Sequence, residues 1–182
     1  TLEITDSNFT GNTATTAGGA IYNSGNTTIT ADAANVTFSG NTVNTSLNDI
    51  YNEGTLNLQA NAGKEITFAG TITDASTPAG TINIGGTTYT GSVNFNNTVT
   101  QKDMTISTGT VNISAGDLKI TNAVLNNGVI NISGTEALTS AITGVGTTNI
   151  QDSFTTTKAI TQGIVTIANG KTFTTSGNTT TS

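Results

Sequence analysis

The side chains able to do covalent chemistry in this chain are its carboxylates. Eleven Asp and Glu residues are accompanied by five Lys, with no His, Cys or Arg. Asp103 and Asp117 fall in neighbouring coils and could approach each other. Paired carboxylates cleave sugar linkages when one keeps its proton and the other ionises across a cleft, and the flanking residues show neither a cleft nor a raised pKa. A lyase would need an arginine base, and the calcium loop D-x-[DN]-x-[DN]-G is absent. Without His or Cys, the common zinc ligands and the neutral-pH proton shuttle are missing as well. The expectation is a protein with no catalytic residues, no metal and no cofactor.

Charge excludes another class. The formal net charge is −6, and the lysines (Lys64, Lys102, Lys119, Lys158, Lys171) are scattered. They cannot form the cationic track that a phosphate backbone requires, so nucleic acid is not an expected partner. No apolar run approaches the ~18 residues that cross a bilayer, so no membrane insertion of this segment is expected. What remains is hydroxyl and amide chemistry, from 43 Thr and 23 Asn in 182 residues.

These residues are ordered by a repeat. A pentad opening with Gly recurs as Gly54-Thr55-Leu56-Asn57-Leu58, Gly80-Thr81-Ile82-Asn83-Ile84, Gly109-Thr110-Val111-Asn112-Ile113, Gly128-Val129-Ile130-Asn131-Ile132 and Gly146-Thr147-Thr148-Asn149-Ile150. Weaker copies begin at Gly25 and Gly163. Apolar residues alternate with Thr or Asn, the period-2 pattern of a half-buried strand. A second series, Phe9, Phe38, Phe68 and Phe95, has a similar long period, and Ile21-Tyr22-Asn23 falls 29 residues before Ile50-Tyr51-Asn52. Units this short cannot close a core alone but can stack.

The fold expected is therefore all-β, a parallel β-helix of about seven to eight coils. Residues 1–108 would form longer coils with side loops, such as 73–79 around the sole proline, Pro78, and residues 109–182 short regular ones. Leu58, Ile84, Ile113, Ile132 and Ile150 are expected to share one internal column. The Phe series reads as an internal ladder or, failing that, a platform for stacking sugars. The opening glycines are expected to turn corners at positive φ. Thr55, Asn57, Thr81, Asn83, Thr110, Asn112, Asn131, Thr147 and Asn149, with Val129, would then point outward as two polar files. Such files stabilise the rod through side-chain ladders, bind a surface or a second rod, or order ice.

Phe9-Thr10-Gly11-Asn12 followed by Gly18-Gly19-Ala20-Ile21 resembles the paired FxxN and GGAI motifs of the chlamydial polymorphic outer-membrane proteins and, more broadly, the β-helical passengers of autotransporter adhesins. The second copy keeps Phe38 to Asn41 but has Leu47-Asn48-Asp49-Ile50 in place of GGAI. The resemblance implies a right-handed helix, export to a bacterial surface or beyond, and adhesion to a host surface or glycan, or self-association. It also implies that this chain is a released passenger or part of one. An end-to-end filament subunit and an ice-binding solenoid are the alternatives.

Overall fold

A computed structural model describes residues 1–134 and 138–181. The chain is an all-β parallel solenoid of eight complete windings and the opening strand of a ninth. The first sheet has nine strands, from Leu2–Thr5 through Thr55–Ala60 and Asp103–Ile106 to Thr179–Thr181. The second has eight, from Phe9–Thr10 through Ser92–Phe95 to Ile164–Ile167. The third side carries Ile21–Asn23, Ser46–Asn52, Thr71–Thr73, Val99–Gln101 and Leu118–Ile120, followed by the Leu118–Leu138 bridge and the pair Phe154–Thr156 with Phe173–Thr175. Alternation in the sequence becomes alternation in space: Thr55–Ala60 and Thr81–Ile84 bury every second side chain and leave the others half-exposed.

Stacking follows the repeat. Leu56 lies beneath Ile82, and Leu58 beneath Ile84. The Phe series is the internal ladder: successive rings from Phe9 to Phe95 stack at 4.7, 4.8 and 5.6 Å. Phe38, Phe68 and Phe95 are no more than 1% exposed, and each full burial of such a ring contributes roughly 1.5–3 kcal/mol.

The expected single aliphatic column is two columns. Leu58 and Ile84 belong to the first sheet, above Ile29 and below Ile106. Ile113, Ile132 and Ile150 belong to the second, directly above Phe95. The chain advances a full winding and one extra side between Gly80 and Gly109. The missing member of the later series is Gly91-Ser92-Val93-Asn94-Phe95, whose Ser92 and Asn94 pair with Thr110 and Asn112. The Phe series and the later pentads therefore form one continuous column.

The opening glycines also have a different cause from the one expected. Among those of the pentads only Gly109 has a positive φ, of 80°. Their windings lie too close for a side chain: a Cβ on Gly54 would sit 2.0 Å from the Gly25 carbonyl oxygen, and on Gly146 2.4 Å from that of Gly128. Stack spacing, not left-handed backbone, selects glycine here.

Candidate functional site

The outward rows divide between faces in the same way as the columns. On the second sheet, strands Ser92–Phe95, Thr110–Ile113, Val129–Ile132, Thr147–Ile150 and Ile164–Ile167 pair in unbroken register. One outward row is Ser92, Thr110, Val129, Thr147 and Ile164; the other is Asn94, Asn112, Asn131, Asn149 and Thr166. Thr55, Asn57, Thr81 and Asn83 lie on the first sheet instead. They are joined to the others by the chain but not by a surface.

The Asn row of the second face is bonded along its length. Asn112, Asn131 and Asn149 each donate through Nδ2 to the Oδ1 of the Asn one winding earlier, at 2.7, 2.8 and 2.8 Å. Asn94 donates to Thr67 Oγ1 at 3.0 Å, and the Thr166 hydroxyl donates to Asn149 Oδ1 at 2.6 Å. Each amide spends one donor and one acceptor on the ladder, which holds the side chains in one plane and fixes which end of the rod each Nδ2 faces. The first face has a shorter version, Asn83 to Asn57 to Asn26 at 3.0 and 2.9 Å. There the Thr55–Thr81 row runs directly into Asp103, and the Asn row into Thr105 and then Leu125, which is 41% exposed.

Flanking the second face, the row beyond the strand ends runs Asn96, Ser114, Ser133, Gln151 and Ala168, with Ser114 Oγ 2.6 Å from Asn96 Oδ1. No charged residue lies in the five strands from Ser92 to Ile167, and the nearest below is Glu65, whose Oε2 accepts from Asn94 at 3.2 Å. The face is flat, neutral and made of hydroxyl, amide and branched aliphatic groups.

Other polar groups act inward. Asn23 Nδ2 donates to Asn52 Oδ1 at 2.6 Å, and Asn52 Nδ2 to Gln101 Oε1 at 2.5 Å, forming a buried rail at the corner entering the first sheet. Asn126 and Gln162 repeat the device at 2.6 Å on the opposite side of that sheet. Every fully buried side-chain nitrogen and oxygen among the described residues is hydrogen-bonded, so these amides specify register without an orphaned donor.

The motif residues at the start of the chain have a comparable role. Asn41 Oδ1 accepts from both the backbone N–H and Nδ2 of Asn12, and Asn41 Nδ2 donates to the Phe9 carbonyl and to Asp49 Oδ1. Asp49 is wholly buried and also accepts from the Gly70 N–H at 2.6 Å. Burial pushes its carboxyl pKa up, partly opposed by the bonds from Asn41, Gly70 and Ala69. Gly19 packs so closely that a Cβ would lie 2.3 Å from the Asn48 carbonyl oxygen. Phe, Asn and Gly in these motifs thus weld one winding to the next.

Asp103 and Asp117 do not form a pair. Asp103 opens a first-sheet strand level with Asn122, which donates to it at 2.6 Å. Asp117 precedes third-sheet strand Leu118–Ile120 and binds Lys119 at 2.8 Å. A whole strand separates the two carboxylates. Among the described residues no three acidic, His or Cys side chains cluster to hold a metal, and no helix is long and apolar enough to cross a membrane.

Tyr22 and Tyr51 are in register on the outside of the third sheet, their rings stacked at 5.3 Å and within 8° of parallel. Both hydroxyls donate to Glu53, at 2.6 and 3.3 Å; the hydrogen bond to the carboxylate raises the pKa of the Tyr22 phenol, and burial followed by the same carboxylate raises that of Tyr51. The Ile-Tyr-Asn repeat was the signal for this pair. Comparison with family models, curated proteins and solved structures gives no match for the chain. The class of the protein rests on its own geometry: a parallel β-solenoid rod with one long neutral face.

Proposed function

We propose that this chain is an extracellular adhesive rod of a bacterial surface protein, with no catalytic centre, whose second-sheet face engages a neutral partner, either a second rod or a glycan-bearing surface. The observation that carries the reading is the unbroken register of five uncharged strands from Ser92 to Ile167. Flat, preorganised faces lose little side-chain entropy on contact, and here the Asn ladder has already immobilised one row. The other row supplies hydroxyls at Thr110 and Thr147 and apolar contact at Val129 and Ile164, which is 54% exposed. Surface display is supported by the FxxN and GGAI resemblance and by the lack of cysteine, which leaves no disulfide to hinder passage of the chain through a membrane.

An ice-binding array would call for Thr in both rows, whereas Asn fills one row at four successive second-face strands with its amides tied to each other. That favours contact with a macromolecule. The test is charge placed on the face: Asn112→Lys with Asn131→Lys should abolish self-association in sedimentation and adhesion to glycan-coated or host-cell surfaces, while Asn57→Lys with Asn83→Lys on the first face leaves both intact. Unchanged association and adhesion in the second-face variant would remove that face from the account.

A further inference from the structure

The second winding leaves the regular path once, and the detour borders a groove. Thr42–Val43 runs antiparallel to the start of Ser46–Asn52, with Thr42 opposite Leu47 and Val43 opposite Ser46; the turn places Asn44 at a φ of 53°. Among the described residues every other strand pair is parallel. The hairpin and the adjoining third sheet enclose an open groove of about 460 Å³, in the range of small-molecule sites, lined among others by Val43, Ser46, Leu47, Tyr51, Thr71 and Thr73.

Its lining is already set. Asn48 Nδ2 donates to Thr71 Oγ1 at 3.0 Å and to Thr73 Oγ1 at 2.8 Å. Thr71 passes its own proton to the Leu47 carbonyl, whereas the Thr73 proton is left to donate outward. The Tyr51 ring is fixed against Tyr22, and Leu47 is 46% exposed. One shallow surface therefore offers an aromatic ring, two aliphatic side chains and hydroxyl groups, those of Thr71 and Thr73 oriented by Asn48.

We infer that this groove binds a neutral oligosaccharide of two or three sugar units. A sugar ring has C–H faces for Tyr51, Val43 and Leu47 and hydroxyl edges for Thr73, Ser46 and Asn44, matching the mixture around the groove. None of the lining residues is charged, and Glu53 stands at the Tyr51 hydroxyl, so nothing holds a sulfate or sialate and a carboxylate opposes one. An extended peptide is the poorer fit because it would dock by adding a strand to an open edge. Ser46–Asn52 has no open edge: it pairs with Ile21–Asn23 on one side and Thr71–Thr73 on the other.

The inference deepens the adhesive reading by adding a ligand site distinct from the second face, and its test separates the two. An array of neutral galactose-, mannose- and N-acetylglucosamine-terminated di- to tetrasaccharides, with sialylated and sulfated counterparts, is probed with the labelled chain, and hits are titrated by calorimetry. Binding confined to neutral glycans is expected, weakened at least about ten-fold by Tyr51→Ala and by Leu47→Lys, and unchanged by Asn57→Lys with Asn83→Lys on the first face. Leu47 is exposed, so its variant keeps the fold even where loss of the tyrosine stack disturbs it. No neutral glycan bound at millimolar concentration, preference for acidic glycans, binding of peptides in their place, or affinity insensitive to Leu47→Lys would each overturn the groove assignment. Loss of adhesion with the second-face variant alone would leave the face reading standing without it.

Discussion

The early and late windings solve the same packing problem at different girths. Asn23 and Asn52 are 29 residues apart where one winding stacks on the next, whereas Asn94 and Asn112 are 18 apart. The long steps of the column run from Phe38 to Phe68 and on to Phe95; from Phe95 the winding shortens and the same column continues as Ile113, Ile132 and Ile150. In this column the larger side chains stand in the longer windings and the smaller ones in the shorter. The wide windings also have chain to spare for the hairpin at 42–47 and its groove, and the narrow ones give their length to strands, which makes the neutral face continuous. Girth thus separates a region suited to a small ligand from one suited to an extended surface.

Breaking the column should expose that difference first. Phe68→Ala is expected to cost about 3–5 kcal/mol and Ile132→Ala about 2–5 kcal/mol, with the Phe site at the upper end. The exchange Ile132→Phe should itself destabilise by about 1–3 kcal/mol, because Ile132 is buried in a site packed around a branched aliphatic side chain. Chemical denaturation of the three variants checks the order, and equal tolerance of Phe at position 132 would contradict the girth argument.

Glycine substitutions should show the next largest contrast, here between the first corner of the rod and the stacked corners above it. Gly146→Ala pushes a methyl to 2.4 Å from the Gly128 carbonyl oxygen and is expected to cost roughly 1–3 kcal/mol, while Gly25→Ala meets nothing within 4 Å and should be nearly silent. Thermal melts of the two proteins are the measurement.

The ladders should separate the faces more gently. Asn131 both donates to Asn112 and accepts from Asn149, so Asn131→Ala should lose about 1–2 kcal/mol. Asn83 has one ladder bond, to Asn57, and Asn83→Ala should lose about half as much. Denaturant midpoints at matched slopes decide this.

The smallest effect expected is with pH. Asp49 in the wide windings has its folded pKa raised by burial, so the native state holds its proton more tightly than the unfolded chain. Its favourable contribution is complete below the ordinary carboxylate value and is lost as pH rises through the raised folded value. Asp6 runs the other way: backbone N–H groups of Ala34, Ala33 and Asp32 lower its pKa, and its contribution is lost as pH falls through that lowered value. Stability profiles of Asp49→Asn and Asp6→Asn should lose these opposite slopes.

Much of this architecture could be read from alternation alone. Leu56 over Ile82 and the Phe series needed only the repeat and period 2. The split of the aliphatic column was hidden because the Gly80 to Gly109 step equals the earlier Gly25 to Gly54 step by coincidence, and Gly91-Ser92-Val93-Asn94-Phe95 carries Phe where the other pentads carry Ile or Leu. That Phe places it in the Phe series by spacing and masks its likeness to the pentads. The crowding at Gly54 and Gly146 depends on spacing between windings, which no local pattern encodes. The hairpin at 42–47 had only Asn44-Thr45 as a turn signal, and the buried amides of Asn52, Gln101 and Asn126 look like surface residues until their partners across windings are in place.

The proposed adhesive contact is made through the second face. Spin labels attached singly at Thr110 and Thr147, with Thr55 and Thr81 as first-face counterparts, report it directly when the rod self-associates or is laid on a glycan-coated surface. Immobilisation at Thr110 and Thr147 with free motion at Thr55 and Thr81 is the result expected. Immobilisation at Thr55 and Thr81 alone, or equally at all four, would contradict it.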